Sequence, residues 1–167
     1  RSRQRCPWGS LGCGAYHVLV RMVDVGQKEI SVREATASGR VETTADVLAA
    51  LRAGTIPKGD VVAAARLAGI MAVKRTPDLI PLCHPIGISG ADVELDLTAD
   101  SHVVIQASVR TADRTGVEME ALTAVAAAGL TVIDMVKGTD PAASIEGIKV
   151  LTKTGGKTGD WVRPSDR

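Results

Sequence analysis

Two runs of alternating residues, separated by a short polar turn, constrain the fold of this 167-residue chain more than any other feature. In the first run, Val93, Leu95 and Leu97 alternate with acidic residues, and the same apolar alternation returns over 103–109. A period of two places one face of each strand against a core and leaves the other face in water. The polar turn over 99–101 is short enough to join antiparallel neighbours. The pattern therefore predicts a β-hairpin in an antiparallel sheet.

Caps and periodicity predict the other elements. A Ser, Thr or Asp before an apolar run is typical of a helix start, and a Gly after it is typical of a helix end. We expect a first strand from Ile30 to Val41, followed by a helix between a cap at Thr43 or Thr44 and a stop at Gly54. A second helix begins at the cap Asp60 and is ended by Pro77 and Pro81. A third helix of about 20 residues runs from a capping box at Thr115–Glu118 to Lys137, and a last strand covers 145–153. This order predicts an α+β fold with helices on one face of an antiparallel sheet.

Composition excludes several classes of protein. The length fits a single domain. The chain has no Phe and only 2% aromatic residues, so it lacks the stacking platforms of single-stranded nucleic-acid binders. The formal net charge is +1, which implies no global attraction for polyanions. No uninterrupted apolar run reaches the length of a membrane span. We therefore expect neither a nucleic acid nor a membrane as partner.

The first 21 residues differ from the rest of the chain. They carry four arginines and no acidic residue, and they show neither periodicity nor clean caps. We expect residues 1–21 to be an added segment, a misplaced start or a mobile arm, and we expect deletion of residues 1–20 to leave activity and melting temperature close to those of the full chain. Three cysteines at wide spacing give no disulfide framework, which favours a reducing, cytoplasmic setting.

Basic residues flank the second predicted helix. Lys58 and Gly59 precede its cap, where free N–H groups favour an anion; the simpler interpretation is a solvated lysine beside a capping aspartate. Lys74 and Arg75 close the helix. They either complement its dipole or hold phosphates.

The segment from Leu79 to Pro85 places Cys83 and His84 between two prolines in an extended stretch. Such a stiff segment suits a presented side chain. The histidine is either a satisfied structural residue or a group that binds substrate or transfers protons near neutral pH. No further Cys or His lies at ligand spacing, so we assign no metal ligands.

The long third predicted helix carries acids at both ends. Glu118 and Glu120 lie in its first turn, where acids complement the helix dipole. Asp134 and Lys137 lie three residues apart near its end, as an ordinary surface ion pair or as a proton-transfer pair. Glu120 and Asp134 are separated by roughly 21 Å along a continuous helix. If both are catalytic, the helix is broken or the pocket is shared between subunits.

Together these motifs are familiar. Five segments closely resemble the cyclic pyranopterin monophosphate synthase family, the MoaC type of molybdenum cofactor biosynthesis protein. They are Met22–Val25, the block from Lys58 through Lys74-Arg75 to Pro85, Thr115–Thr123, Asp134–Lys137 and the closing Lys153–Asp160. The resemblance covers nearly all of residues 22–161. Residues 1–21 depart from the family pattern, and Arg114 stands where a lysine is common.

The resemblance implies a single catalytic domain over 22–161, a flexible tail over 162–167 and a ferredoxin-like fold. It also implies a homo-oligomer, a hexamer built as a trimer of dimers, with active sites at the dimer interface. The implied enzyme is a phosphorus–oxygen lyase. It converts 3′,8-cyclo-7,8-dihydro-GTP, which a radical enzyme makes from GTP, into cyclic pyranopterin monophosphate and pyrophosphate. No tightly bound cofactor is implied, and Mg²⁺ is compatible as a companion of the phosphates.

The resemblance also implies roles for individual residues. Asp134 and Lys137 correspond to the central acid–base residues, joined by Lys58 and His84. The substrate-lining positions are Leu82, Cys83, His84, Glu118, Met119 and Glu120, with phosphates held by Lys74 and Arg75. The alternatives are a non-catalytic nucleotide-binding oligomeric module and a purely structural oligomer. We favour an enzyme because cations alone would suffice for a binding module. If Lys58 and Lys137 serve one site from opposite subunits, mixing chains that each lack one of them should restore activity.

Overall fold

The computed structural model describes residues 20–157 and 159–165. Most of the predicted N-terminal arm therefore lies outside the described residues. The elements in chain order are β1 (Ser31–Glu42), α1 (Ala45–Ala53), α2 (Val61–Val73), α3 (Thr76–Leu79), β2 (Ile88–Asp96), β3 (His102–Asp113), α4 (Glu118–Val136), β4 (Ser144–Thr154) and β5 (Trp161–Val162).

The strands form one antiparallel sheet in the order β2-β3-β1-β4-β5. The predicted hairpin is confirmed, because β2 pairs with β3 and Val93 lies opposite Ala107. Without β5, the order and the two crossover helices α2 and α4 give the ferredoxin-like arrangement expected from the resemblance. The short edge strand β5, in which Trp161 pairs with Lys153, was not predicted.

The core lies between the sheet and the helices α2 and α4. Helix α4 packs on β1, β3 and β4, while α2 packs on β2 and α4. The contact is close because the sheet offers small residues: a Cβ added at Gly39 of β1 would lie 2.9 Å from Val125 Cγ1. Aliphatic and alanine side chains fill this core, as the scarcity of aromatics requires. The outer face of the sheet is polar, with a hydrogen bond of 3.0 Å between Thr36 and Ser108.

Local signals place the first two helices as predicted. Thr44 caps α1 by accepting a hydrogen bond from the Val47 N–H, and Gly54 ends the helix with a left-handed φ of 66°. Asp60 caps α2 by accepting from the Ala63 N–H at 2.9 Å. Pro77 does not simply end this helix, because α2 already stops at Val73 and the proline lies in the first turn of α3.

The predicted capping box of α4 is wrong. The helix begins at Glu118 after an N-cap at Val117, and no side chain caps it. The carboxylate of Glu118 instead accepts from the Lys153 ammonium of β4 at 3.1 Å. This long-range ion pair takes the acid that a capping box would have needed.

Helix α4 is long and apolar enough to cross a membrane by length and composition alone, with a mean hydropathy of 1.6. However, half of that apolar stretch is buried within the domain, against β1, β3 and β4. Its buried positions include Ala121, Val125 and Val132. We therefore interpret α4 as the central core helix of the domain.

Candidate active site

One cluster of charged side chains lies at the C-terminal end of α4. Asp134 accepts from the Lys137 ammonium at Oδ1 and from the Lys58 ammonium at Oδ2, both at 2.8 Å. Lys58 also donates to the backbone carbonyl of Asp134 at 2.7 Å. We call Lys58, Asp134 and Lys137 the lysine–aspartate cluster. Three of the four predicted catalytic residues are thus brought together within one chain.

Two local features build this cluster. Asp134 and Lys137 are three residues apart, so they share a face of the last helical turn. The loop between α1 and α2 supplies Lys58, and the following Gly59, with φ at 103°, allows the chain to turn into α2. The amine of Lys58 also meets one of the carbonyls that a helix end leaves without an intrahelical partner.

The two ammonium groups control the charge of Asp134. The hydrogen bond from Lys137, followed by that from Lys58, lowers the pKa of Asp134 to about 2. The carboxylate is therefore ionised throughout the physiological range. All three side chains are about half exposed, so the cluster is open to a ligand from solvent. It presents two cations held by one anion, which suits an anionic substrate.

A second cluster lies near the N-terminal end of the same helix. Glu120 is only 1% exposed, and the Cys83 thiol donates to its Oε1 at 3.4 Å. A turn closed by the Cys83 N–H and the Ile80 carbonyl at 3.0 Å, with Pro81 in its second position, brings the cysteine to this place. We call Cys83 and Glu120 the thiol–carboxyl pair. Both residues were predicted to line the substrate site.

Burial raises the pKa values of both groups of this pair, whereas the pKa of Asp134 is lowered. Desolvation is the main cause that raises the pKa of Glu120, and the hydrogen bond from Cys83 partly offsets it. Desolvation and the neighbouring Glu120 charge raise the pKa of Cys83 to about 11. The thiol is therefore protonated at neutral pH and acts as a hydrogen-bond donor rather than a nucleophile.

A cavity of about 290 Å³ adjoins this pair. Glu120 and Lys74 line it together with apolar residues from α2 and the 85–88 segment. Lys74 was predicted to hold phosphates, and the structure places it beside the buried acid. Its neighbour Arg75 instead forms an exposed ion pair of 3.6 Å with Asp78.

The other predicted substrate-lining residues lie around the same end of the molecule. Leu82 and Met119 are exposed, at 45% and 38%, so these apolar side chains can contact a ligand or a partner chain. His84 is half-buried next to Cys83, whose thiol lies 3.9 Å from the histidine carbonyl oxygen. Glu118 is held by Lys153. His84 is thus placed with the thiol–carboxyl pair and apart from the other three predicted catalytic residues.

The two clusters are not brought together within one chain. Helix α4 is continuous from Glu118 to Val136, so the rise per residue separates Glu120 from Asp134 by roughly 21 Å. The broken-helix alternative is therefore excluded for α4. Lys58 and Lys137 both contact Asp134 of their own chain, so the structure places the two lysines in the same half-site.

Three cations near the beginning of β1 were not assigned a role from the sequence. Lys28, Arg33 and Lys157 line a cavity of about 720 Å³. Arg33 is fixed there by donating to the Asp113 and Arg114 carbonyls at 3.1 and 3.2 Å. The signal that could have found them is the Gly155-Gly156-Lys157 stretch, whose two glycines adopt positive φ at the rim. Among the described residues, no group of three or more His, Cys, Asp or Glu side chains could hold a metal ion.

The fold and these clusters define a ferredoxin-like domain that presents acid, base and cationic groups at separated places on one central helix. The class is that of small α+β enzymes that act on small molecules. Comparison with known proteins identifies the family. The chain belongs to the MoaC family, whose model matches residues 22–156.

Curated relatives agree with this assignment. The chain is 60% identical over 146 residues to the cyclic pyranopterin monophosphate synthase of a Nocardioides species, covering 86% of this chain and 90% of the relative. The Streptomyces coelicolor protein of the same name is 59% identical over 143 residues, covering 86% and 84%. Cyclic pyranopterin monophosphate synthase 2 of Mycobacterium tuberculosis is 51% identical over 150 residues, covering 90% and 87%. The predicted family is confirmed, and the non-catalytic alternative is not favoured.

Proposed function

We propose that this chain converts 3′,8-cyclo-7,8-dihydro-GTP into cyclic pyranopterin monophosphate and pyrophosphate, as a phosphorus–oxygen lyase of molybdenum cofactor biosynthesis. The observation that carries the proposal is the lysine–aspartate cluster, in which two ammonium groups lie 2.8 Å from one ionised carboxylate. The family and the names of its relatives support the same activity.

The cluster fits the chemistry of the phosphate end of this substrate. A cyclic phosphate forms when a sugar hydroxyl oxygen attacks the α-phosphorus while the bond to the departing pyrophosphate breaks. Negative charge then grows on the departing pyrophosphate, which takes up the hydroxyl proton as it leaves. The ammonium groups of Lys58 and Lys137 can stabilise the growing charge. Asp134, held ionised, orients both amines.

The ring rearrangement requires further proton transfers, which we assign first to Lys137. Its amine lies at the open end of the cluster and its side chain is more exposed than that of Lys58, at 59% against 48%. Lys58 also donates to a backbone carbonyl, so two hydrogen bonds hold its side chain in place. His84 joins as a second proton-transfer candidate from the other cluster.

We further propose that the active site is shared between two chains of a homo-oligomer, a hexamer built as a trimer of dimers. Each site would combine the lysine–aspartate cluster of one chain with the thiol–carboxyl pair of another. The separation of roughly 21 Å along α4 supports this arrangement, because one small substrate cannot span both clusters of one chain. Exposed apolar side chains offer surface for the contact, among them Leu67, Met71, Leu79, Leu82 and Leu130.

The chemistry of the substrate implies its setting. A radical enzyme that acts on GTP must supply it, and Mg²⁺ would accompany the triphosphate and pyrophosphate oxygens, which are hard ligands. We place the reaction in the cytoplasm, where GTP is available.

The test is to supply the purified chain with substrate generated in situ from GTP and to measure the pterin product by chromatography. Lys137→Ala should lower kcat by about 10² to 10⁴ if it removes one proton transfer. Lys137→Arg keeps the charge but does not deprotonate, so it should also be inactive. The matched control is Lys149→Ala on β4, an exposed lysine outside both clusters, which should retain activity.

Two results would contradict the proposal. Substrate binding without product in the unmodified chain would indicate a nucleotide-binding module. An active Lys137→Arg variant would leave Lys137 as an electrostatic clamp and remove its acid–base role.

A further inference from the structure

Glu120 is the most unusual polar residue of the described chain. It is 1% exposed, and its Oε2 atom has no hydrogen-bond partner among the described residues. Leaving a buried acceptor unsatisfied is costly, and such a group calls for an explanation. Because Oε1 is already used by the Cys83 thiol, Oε2 is the free acceptor of this carboxyl.

The surroundings indicate what completes the hydrogen bonding. Glu120 lines the cavity of about 290 Å³ together with Lys74, so this cavity is the side from which a ligand would approach the acid. A phosphate carries negative charge and would be repelled by a carboxylate. An N–H or O–H donor of a heterocyclic ring or sugar is the complementary group.

Resting on the function proposed above, we propose that Cys83 is a positioning residue for that reaction. Its thiol, donating to Oε1 over 3.4 Å, holds the Glu120 carboxyl so that Oε2 accepts a hydrogen bond from a substrate N–H or O–H. Cys83 then acts through Glu120, in addition to lining the site. The turn over 80–83, closed at 3.0 Å, fixes the thiol for this task.

The charges around the pair define its pH behaviour. Desolvation and, to a smaller extent, Glu118 on the same helix raise the pKa of Glu120, and Glu118 is itself paired with Lys153 of β4. Lys74 lines the cavity from the end of α2, and Arg75 and Asp78 by α3 pair with each other. The thiol hydrogen bond lowers the pKa of Glu120, so losing it should raise that pKa further.

The first experiment compares Cys83→Ala with Cys83→Ser in the full chain. We expect Cys83→Ala to lower kcat/KM about tenfold, as loss of a hydrogen bond to a charged group allows. The limb of the pH profile that follows Glu120 should move to higher pH. Cys83→Ser keeps a donor and should stay within about threefold of the parent, with its limb unmoved. Equal losses in both variants, or an unmoved limb in Cys83→Ala, would overturn the positioning role.

The second experiment needs no substrate. Alkylation of Cys83 by iodoacetamide at pH 9, followed by peptide-resolved mass spectrometry, reports the thiolate fraction of this cysteine separately from Cys6 and Cys13. Glu120→Gln removes the charge that raises the pKa of Cys83, so the rate should rise several-fold. The control Asp46→Asn removes an exposed carboxylate of α1 and should leave the rate unchanged.

The two experiments separate two kinds of failure. An unchanged alkylation rate in Glu120→Gln would show that the pair is not in contact in solution and would overturn the inference. A several-fold increase in a chain that forms no pterin product would support the contact but refute the function on which the positioning role rests.

Discussion

Mixing two inactive variants should restore about a quarter of the parent activity if the site is shared as proposed. The variants are Lys137→Ala, which damages the lysine–aspartate cluster, and Glu120→Gln, which damages the thiol–carboxyl pair. These side chains belong to opposite ends of the continuous helix α4, so each variant retains the half-site that the other has lost.

The magnitude follows from two-fold symmetry. Random pairing of equal amounts gives about half mixed dimers, and each mixed dimer contains one site with both defects and one with neither. About a quarter of all sites are then intact. The control pairs Lys137→Ala with Lys58→Ala. Both residues contact Asp134 of their own chain, so every site of that mixed dimer carries one defect and no activity should return.

The assay measures pterin product after the two variants are co-refolded or exchanged at equal concentration. Light scattering first establishes that the parent chain is oligomeric at micromolar concentration. Recovery with Lys58→Ala and Lys137→Ala, but not with Glu120→Gln and Lys137→Ala, would refute the assignment of clusters to chains. A fully active monomer would refute the shared site altogether.

Three further predictions concern individual residues. Lys137→Ala removes the largest cause of the lowered Asp134 pKa, so NMR titration should find that pKa above the value of about 2 expected for the parent; an unchanged value would refute the ion pair. Gly39→Val should destabilise the domain by about 1 to 3 kcal/mol and lower Tm by several degrees, since its Cβ would meet Val125, whereas Gly138→Ala, with no atom near its Cβ, should be almost neutral. Because the pKa of Glu120 is raised in the folded state, the folded chain keeps a proton above pH 4.5 that the unfolded chain releases. The Tm of the parent should therefore fall relative to the Tm of Glu120→Gln as the pH rises above 4.5. Equal pH dependence of the two Tm values would contradict burial of the acid.

The parts of the fold that were predicted correctly depend on neighbours in sequence. Alternation around Val93 specifies a strand without knowledge of its partner, and the caps at Thr44 and Asp60 act on N–H groups three residues away. The failures depend on distant residues. Lys153 takes the Glu118 carboxylate that was expected to form a capping box. The two-residue strand at Trp161 is too short for a periodic signal and exists through its pairing with β4.

The same distinction applies to the site. The pairing of Asp134 with Lys137 follows from helical spacing, whereas Lys58 lies 76 residues from Asp134 and no local rule joins them. Only the family resemblance placed all three in one pocket. It did not say which chain supplies each, and in the structure both lysines contact Asp134 of one chain.

Glu120 and Asp134, two of the three acids of α4, occupy environments that drive their pKa values apart, and this divides their chemical roles. Two ammonium groups hold the pKa of Asp134 at about 2, so near neutral pH it carries charge but cannot readily exchange a proton. Burial raises the pKa of Glu120 above its ordinary value. Asp134 is therefore suited to orient Lys58 and Lys137, while the buried Glu120 is suited to accept a hydrogen bond at Oε2. Because roughly 21 Å separates them in one chain, a reaction that uses both roles needs a second chain.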